Sequence, residues 1–275
     1  MDAYDVALVQ MRASPRKDEN LNLAAQQVAE VAPDAELVVL PEMFSTSYEV
    51  PDWPAVAEAV PGGPTSTLLS ELAREHEIYL LGGSQPELEE GRVYNTATLW
   101  SPKGELVLKH RKVHLFDVDI PGGIAFFESD FLHPGNEISV VETRLGTIGV
   151  AICFDVRFPE MFRLMALRGA ELVLLPAAFN TTTGPAHWET NLRCRAFENT
   201  VFLGGCSAAP HKEVSYPAWG YSMWIDPYGV VTDSAEREPA VVWGRFDRQR
   251  LLEVRAALPF LTARRPDVYQ GHWTE

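Results

Sequence analysis

The stretch Ala35-Glu36-Leu37-Val38-Val39-Leu40-Pro41-Glu42-Met43-Phe44 is echoed later in the chain by Ala170-Glu171-Leu172-Val173-Leu174-Leu175-Pro176-Ala177-Ala178-Phe179. Each copy is a strand-like aliphatic run closed by a proline and then a phenylalanine. Working outward from the first copy, strand and helix periods alternate: a strand over residues 5–10, a helix over 20–31, a strand over 37–40, a helix over 65–76 and a strand over 78–83. This βαβ rhythm predicts a layered α/β fold. A hairpin follows, with strands 96–100 and 105–108 around the turn Ser101-Pro102-Lys103-Gly104. A strand from 148 runs through Cys153 into a helix ending at 168, where Gly169 stops it. Around the second copy come a strand over 172–175, a helix over 187–199 and a strand over 200–207. A hairpin turning at Asp226-Pro227-Tyr228-Gly229 and a helix over 248–257 lead into a C-terminal tail, about 255–275. No linker-like composition divides the chain, so residues 1–275 read as one domain.

The two copies differ where chemistry would sit. Glu42 in the first is replaced by Ala177 in the second, so the corner itself does not require an acid, and Glu42 becomes a candidate functional residue. Following a run with no polar side chain, it is expected in a desolvated place, where a carboxyl pKa rises toward the range of a proton-shuttling base. Two more segments deliver an ionisable residue to the tip of an aliphatic run. Ile148-Gly149-Val150-Ala151-Ile152 leads to Cys153, followed by what reads as a helix opening. There the free N–H groups and aligned dipoles favour a thiolate, and the Phe154 N–H can face an oxyanion. The strand at 105–108 runs into Lys109-His110-Arg111-Lys112, where one lysine can turn inward.

Composition narrows the function classes. A hydrophobic content of 46%, 22% charged residues and seven tryptophans describe a soluble globular chain. A formal net charge of −15, with no basic stripe, argues against a nucleic-acid partner. No run is long enough to span a bilayer, and the opening Met1–Gln10 reads as a first strand rather than a secretory leader. Three cysteines without paired spacing fit a reducing cytoplasm.

Three segments carry a family resemblance: Leu40-Pro41-Glu42, His110-Arg111-Lys112-Val113-His114, and Ile152-Cys153-Phe154-Asp155-Val156-Arg157-Phe158-Pro159-Glu160. In order and spacing they resemble the signature segments of the nitrilase, or carbon–nitrogen hydrolase, superfamily. The likeness extends to Asn180-Thr181-Thr182-Thr183-Gly184-Pro185-Ala186-His187-Trp188-Glu189 and to Arg264-Arg265-Pro266-Asp267-Val268-Tyr269. Residues His114 to Pro121 and Phe127-Glu128-Ser129 are similar to the omega-amidase branch. The resemblance implies a four-layer α-β-β-α sandwich, dimers or larger assemblies, and no cofactor or metal. It implies catalysis by Glu42, Lys112 and Cys153, with Glu128 as a supporting carboxylate. The substrate it implies is a small dicarboxylic acid monoamide, such as 2-oxoglutaramate or succinamate.

Such a substrate needs its distal carboxylate held, and an acidic chain must supply the positive charge locally. Arg157 is one candidate, its alternative being an ion pair with Glu160 at helical spacing. The Tyr48, Thr182 and Thr183 hydroxyls are others, and the Phe154 N–H is the expected oxyanion donor. The segment 116–128, with two glycines and no clean period, is expected to be a mobile loop over the site. Rival readings are a metal hydrolase built on His110, His114, Asp117 and Asp119, and a papain-like enzyme using His187 as base. Within the family, the alternatives are an amidase for deaminated glutathione and an N-carbamoyl amino acid hydrolase.

Overall fold

The computed structural model describes residues 1–48 and 53–269. Its first half follows the expected rhythm: β1 (Ala3–Gln10), α1 (Lys17–Val31), β2 (Leu37–Val39), α2 (Trp53–Val56), α3 (Pro64–Glu75), β3 (Tyr79–Leu81), β4 (Gln85–Glu89), β5 (Arg92–Trp100) and β6 (Leu106–Arg111). Next come β7 (Asp117–Asp119), β8 (Ala125–Phe127), β9 (Ser139–Thr143), β10 (Gly146–Val150), α4 (Pro159–Leu167), β11 (Leu172–Ala177), α5 (Gly184–Asn199) and β12 (Phe202–Ser207). The chain closes with β13 (Met223–Ile225), β14 (Val231–Ser234), β15 (Ala240–Asp247), α6 (Arg248–Ala257) and α7 (Pro266–Tyr269). Of the expected tail, residues 270–275 lie outside the described residues. Among the described residues no helix is long and apolar enough to cross a membrane.

Two sheets form. One runs β15-β1-β2-β3-β5-β4, with β6 on β5; the other runs β14-β13-β12-β11-β10-β9. The echoed segments occupy matching places, since β2 lies parallel between β1 and β3, and β11 lies parallel between β10 and β12. Consecutive side chains alternate between the faces of a strand, which sorts the layers. Val6 and Leu8 of β1 and Leu37 and Val39 of β2 point into the core shared with β10, β11 and β12, while Ala7, Val9 and Val38 pack under α1 and α3. In the other sheet a side chain at Gly204 would meet Leu8, whereas one at Gly205 would meet Leu192 and Trp188 of α5. The result is helix, sheet, sheet, helix: the expected α/β four-layer sandwich.

Three expectations need correction. The helix after Cys153 is not continuous, because Pro159 opens α4 at Pro159 and pushes Phe158 to extended angles; a separate 3-10 turn covers Cys153–Arg157. The segment 116–128 is a β-hairpin, β7 with β8, whose turn places Gly122 at φ 72°. It is anchored by Phe126, which packs against Tyr48, Phe116 and Tyr216. Strands β4, β9 and β15 were not anticipated.

Candidate active site

Glu42 stands just past β2 on a corner that its neighbours hold closed. Met43 adopts φ 53°, its N–H donates to Ser84 Oγ at 3.0 Å, and the Ser84 N–H donates to Pro41 O at 3.2 Å. Gly83, at φ 50°, lies so close to the Leu40 and Pro41 backbone that no side chain fits there. The buried carboxylate accepts from Asn95 Nδ2 at 2.8 Å on one oxygen and from the Ala178 N–H at 2.8 Å on the other. The second echoed corner thus supplies a donor to the acid of the first.

Lys112 follows β6 directly. Its N–H donates to Asn95 O at 2.8 Å, which turns the side chain inward to full burial. Its Nζ donates to Glu42 Oε1 at 2.9 Å and to Glu128 Oε1 at 2.8 Å. Burial alone would pull the ammonium's pKa down, but the Glu128 and Glu42 carboxylates more than reverse this and hold it well above the ordinary lysine range. Glu128, in the short turn after β8, accepts from the Phe116 N–H at 2.7 Å and from the Tyr48 hydroxyl. Burial pushes its pKa up, Lys112 opposes, and the Glu42 charge adds to the rise.

Cys153 sits past the end of β10 at φ 44°, a backbone angle rare for a side-chain-bearing residue. Asp155 braces this corner. Its carboxylate accepts from the Ile152 N–H at 2.9 Å and the His114 N–H at 2.9 Å, and meets His114 Nδ1 at 2.8 Å and His110 Nε2 at 3.3 Å. Burial would raise the Asp155 pKa, but the histidine hydrogen bonds outweigh it and hold the group far below the usual carboxylate range. The thiolate expected at a helix start is not favoured. Burial, then the Glu42 charge, push the thiol well above its ordinary pKa, against the pull of Lys112 and the Ala178 N–H. The sulfur therefore keeps its proton at neutral pH, next to a carboxylate able to take it.

The thiol opens on a pocket lined by Phe116, Phe154, Arg157, Phe179, Asn180 and Tyr216, with Thr183 at its edge. The free space beside the thiol is narrow, about 10 Å³. Arg157 does not pair with Glu160. Its guanidinium lies 5.5 Å from the Phe154 ring centre and 5.2 Å from that of Phe179, and Nη1 meets His187 Nδ1 at 2.9 Å. Nε is buried with no partner among the described residues, and burial lowers the group's pKa. The Phe154 N–H likewise has no backbone acceptor among them.

The hydroxyl candidates divide. Thr183 is buried at the pocket with its hydroxyl 3.4 Å from Asn180 Oδ1. Thr182 is exposed, outside the lining, its methyl facing Gly123 of the hairpin turn. The Tyr48 hydroxyl donates a hydrogen bond to Glu128 and lies 3.4 Å from Lys112 Nζ, so it belongs to the charged cluster rather than to a carboxylate subsite. Among the described residues, those of the rival metal reading form no group that could hold a metal ion. His110 meets Ser139 Oγ at 2.9 Å and Asp155, His114 meets Asp155 as well, and Asp117 accepts from the Ser129 N–H at 3.0 Å. His187 is turned to Arg157, not to the thiol. The residues the sequence reading missed are Asn95, Asp155, Asn180 and Tyr216. Asn95 falls just before the strand expected over 96–100, which the structure begins at Arg92.

A buried thiol beside a carboxylate and a lysine ammonium is an arrangement suited to nucleophilic catalysis on a layered α/β scaffold. Residues 5–256 match the carbon–nitrogen hydrolase family, and the chain belongs to it. It is therefore an amide-hydrolysing enzyme of the nitrilase superfamily. The chain is 44% identical over 270 residues to the omega-amidase NIT2 of Xenopus tropicalis, covering 98% of each. It is similar to the structure of Saccharomyces cerevisiae Nit3, a nitrilase-superfamily member, at 37% identity and a TM-score of 0.88, covering 96% of this chain and 97% of that one. A mutant amidase from Nesterenkonia sp. AN1, with the acetamide moiety of fluoroacetamide added covalently at its active site cysteine, matches at 25% identity and a TM-score of 0.81, covering 98% and 96%.

Proposed function

We propose that this enzyme is an omega-amidase, releasing ammonia from the terminal amide of a dicarboxylic acid monoamide such as 2-oxoglutaramate or succinamate. The observation that carries this reading is Arg157. It is a half-buried cation at the mouth of the Cys153 pocket, without a carboxylate partner among the described residues and with an unused N–H. A distal substrate carboxylate supplies the missing counter-charge, and the aromatic rings of Phe154 and Phe179 strengthen the pairing by excluding water.

The chemistry then follows from the proton positions. Glu42 takes the Cys153 proton as the sulfur adds to the amide carbon, so the costly buried thiolate never accumulates. Lys112, kept protonated by its two carboxylates, and the Phe154 N–H stabilise the oxyanion. Glu42 returns the proton to nitrogen, the C–N bond breaks, ammonia leaves, and a thioester remains. Water activated by Glu42 adds to the thioester, the C–S bond breaks and the acid departs. Glu128 and Tyr48 fix the Lys112 ammonium.

Ammonia release across 2-oxoglutaramate, succinamate, deaminated glutathione and N-carbamoyl amino acids tests the reading. The two monoamides are expected to lead in kcat/KM, and a lead by either of the other two classes would replace it. A homodimer or larger assembly is part of the proposal. It is supported by Leu164 and Leu167 on α4, each 44% exposed, and Phe197 on α5, 40% exposed. Light scattering that gave a monomer mass would remove that part. The three free cysteines suit a cytoplasmic setting.

A further inference from the structure

Glu42 faces a second cavity, behind the pocket that the thiol faces. Its apolar walls are mostly small, formed by Ala13, Ala178, Ala208, Ala209 and Ala218 together with Val214. Its polar groups are Glu42, Thr46, Tyr48 and, at the far end, His211. Of the residues lining the front pocket, Tyr216 alone also lines this cavity. That tyrosine is where the two spaces meet, its hydroxyl donating to Ala178 O at 2.8 Å and accepting from Asn180 Nδ2 at 3.5 Å. The cavity holds about 20 Å³, enough for one water with several polar neighbours. His211 is also in the wall of a surface hollow of about 290 Å³ bounded by Arg12, Glu19 and Gln27. His211 thus stands in the wall of both the hollow at the surface and the cavity that Glu42 lines.

This arrangement answers a requirement of the reaction. At the thioester stage the acyl group fills the front pocket and its carboxylate is held by Arg157, yet ammonia must leave and water must reach Glu42. We propose that the alanine-lined cavity is the water route for deacylation, with His211 at its mouth. A water held there gives its proton to Glu42 as its oxygen adds to the thioester carbon. The C–S bond then breaks, and the sulfur recovers the proton from Glu42. The five alanines are specificity-neutral; what they do is leave room. The inference rests on the thioester chemistry proposed above.

Filling the cavity tests it. In Ala209→Val, turnover of succinamate is expected to fall by roughly tenfold or more, with Cys153 carrying the succinyl thioester as the dominant species in acid-quenched intact-mass spectra. His211→Trp plugs the mouth from the surface side and is expected to do the same, which keeps the test available should the valine variant fold poorly. Unchanged turnover in a folded variant, or a fall without thioester build-up, overturns the route while leaving the activity intact. Wild-type enzyme that turns succinamate over without ever carrying the adduct overturns the route and the thioester reading together.

Discussion

The Ala178 N–H donates to Glu42 Oε2 at 2.8 Å, joining two corners 136 residues apart that are copies of one another. The copy with alanine in place of the acid orients the acid of the other. The Glu42 carboxylate therefore has its second oxygen fixed by backbone, while the first is shared between Lys112 and Asn95. A base held in this way meets the thiol in one geometry, and the predictions below start from it.

Replacing the acid tests proton transfer. Glu42→Gln keeps the shape but puts an NH2 in place of one accepting oxygen and cannot take up a proton, so kcat/KM is expected to fall by about 10²- to 10⁴-fold. Iodoacetamide labelling of Cys153, followed by peptide mass spectrometry, is expected to slow in parallel, because the raised thiol pKa leaves little thiolate without the base. Labelling at the wild-type rate would show that the sulfur ionises without Glu42.

Lys112→Met leaves the Glu42 and Glu128 carboxylates buried together without their cation. A loss of about 3 to 5 kcal/mol is expected at neutral pH. Glu128 already has a raised pKa, and losing Lys112 raises it further. A carboxyl whose folded pKa lies above its unfolded value binds a proton more readily when folded, so the variant's stability is expected to increase as pH falls from 8 toward the usual carboxylate range. Denaturant melts at several pH values decide this; a deficit that does not shrink on the acid side would contradict the assignment.

Asp155 gives the opposite sign. Its folded pKa is depressed, so its stabilisation is complete above the unfolded carboxylate value, about 4, and is lost as pH falls from there toward the folded value. Asp155→Asn is expected to be less stable than wild type at pH 7 by roughly 3 kcal/mol, with the gap closing below about pH 4. It also loosens the Cys153 corner, so activity falls although the residue does not touch substrate. Urea melts at pH 7 and pH 3 check the closing gap, and equal gaps would argue against a charged Asp155.

Arg157→Met separates carboxylate recognition from chemistry. KM for succinamate is expected to rise by about 10- to 100-fold, the range of a charge-assisted hydrogen bond. The neutral amide butyramide, lacking the distal carboxylate, is expected to be hydrolysed about as well as by wild type. An equal loss on both amides would move the carboxylate site elsewhere.

Much of this was legible in the chain. The runs at Leu37–Val39 and Leu172–Ala177 announced the central strands because they are buried and uniformly apolar. β4 was not legible, since Gln85-Pro86-Glu87-Leu88-Glu89 has a proline and two acids. It forms because Glu87, buried, is clamped by Lys109 at 2.8 Å and Arg111 at 2.8 Å from the strand beyond β5. In the site, Glu42, Lys112 and Cys153 stood out as ionisable residues at the tips of apolar runs. Asp155, Asn180 and Tyr216 did not, because their roles come from long-range partners: Asp155 reaches back to His110 and His114, and Tyr216 closes on Ala178. The continuous helix expected after Cys153 failed on a local rule, the restriction a proline places on the residue before it.

The most direct test of the account is ammonia release from succinamate by Cys153→Ala, measured beside wild type with folding checked by circular dichroism. The account predicts no release above the uncatalysed rate, because among the described residues no other thiol lines the pocket. Release within about tenfold of wild type would contradict it.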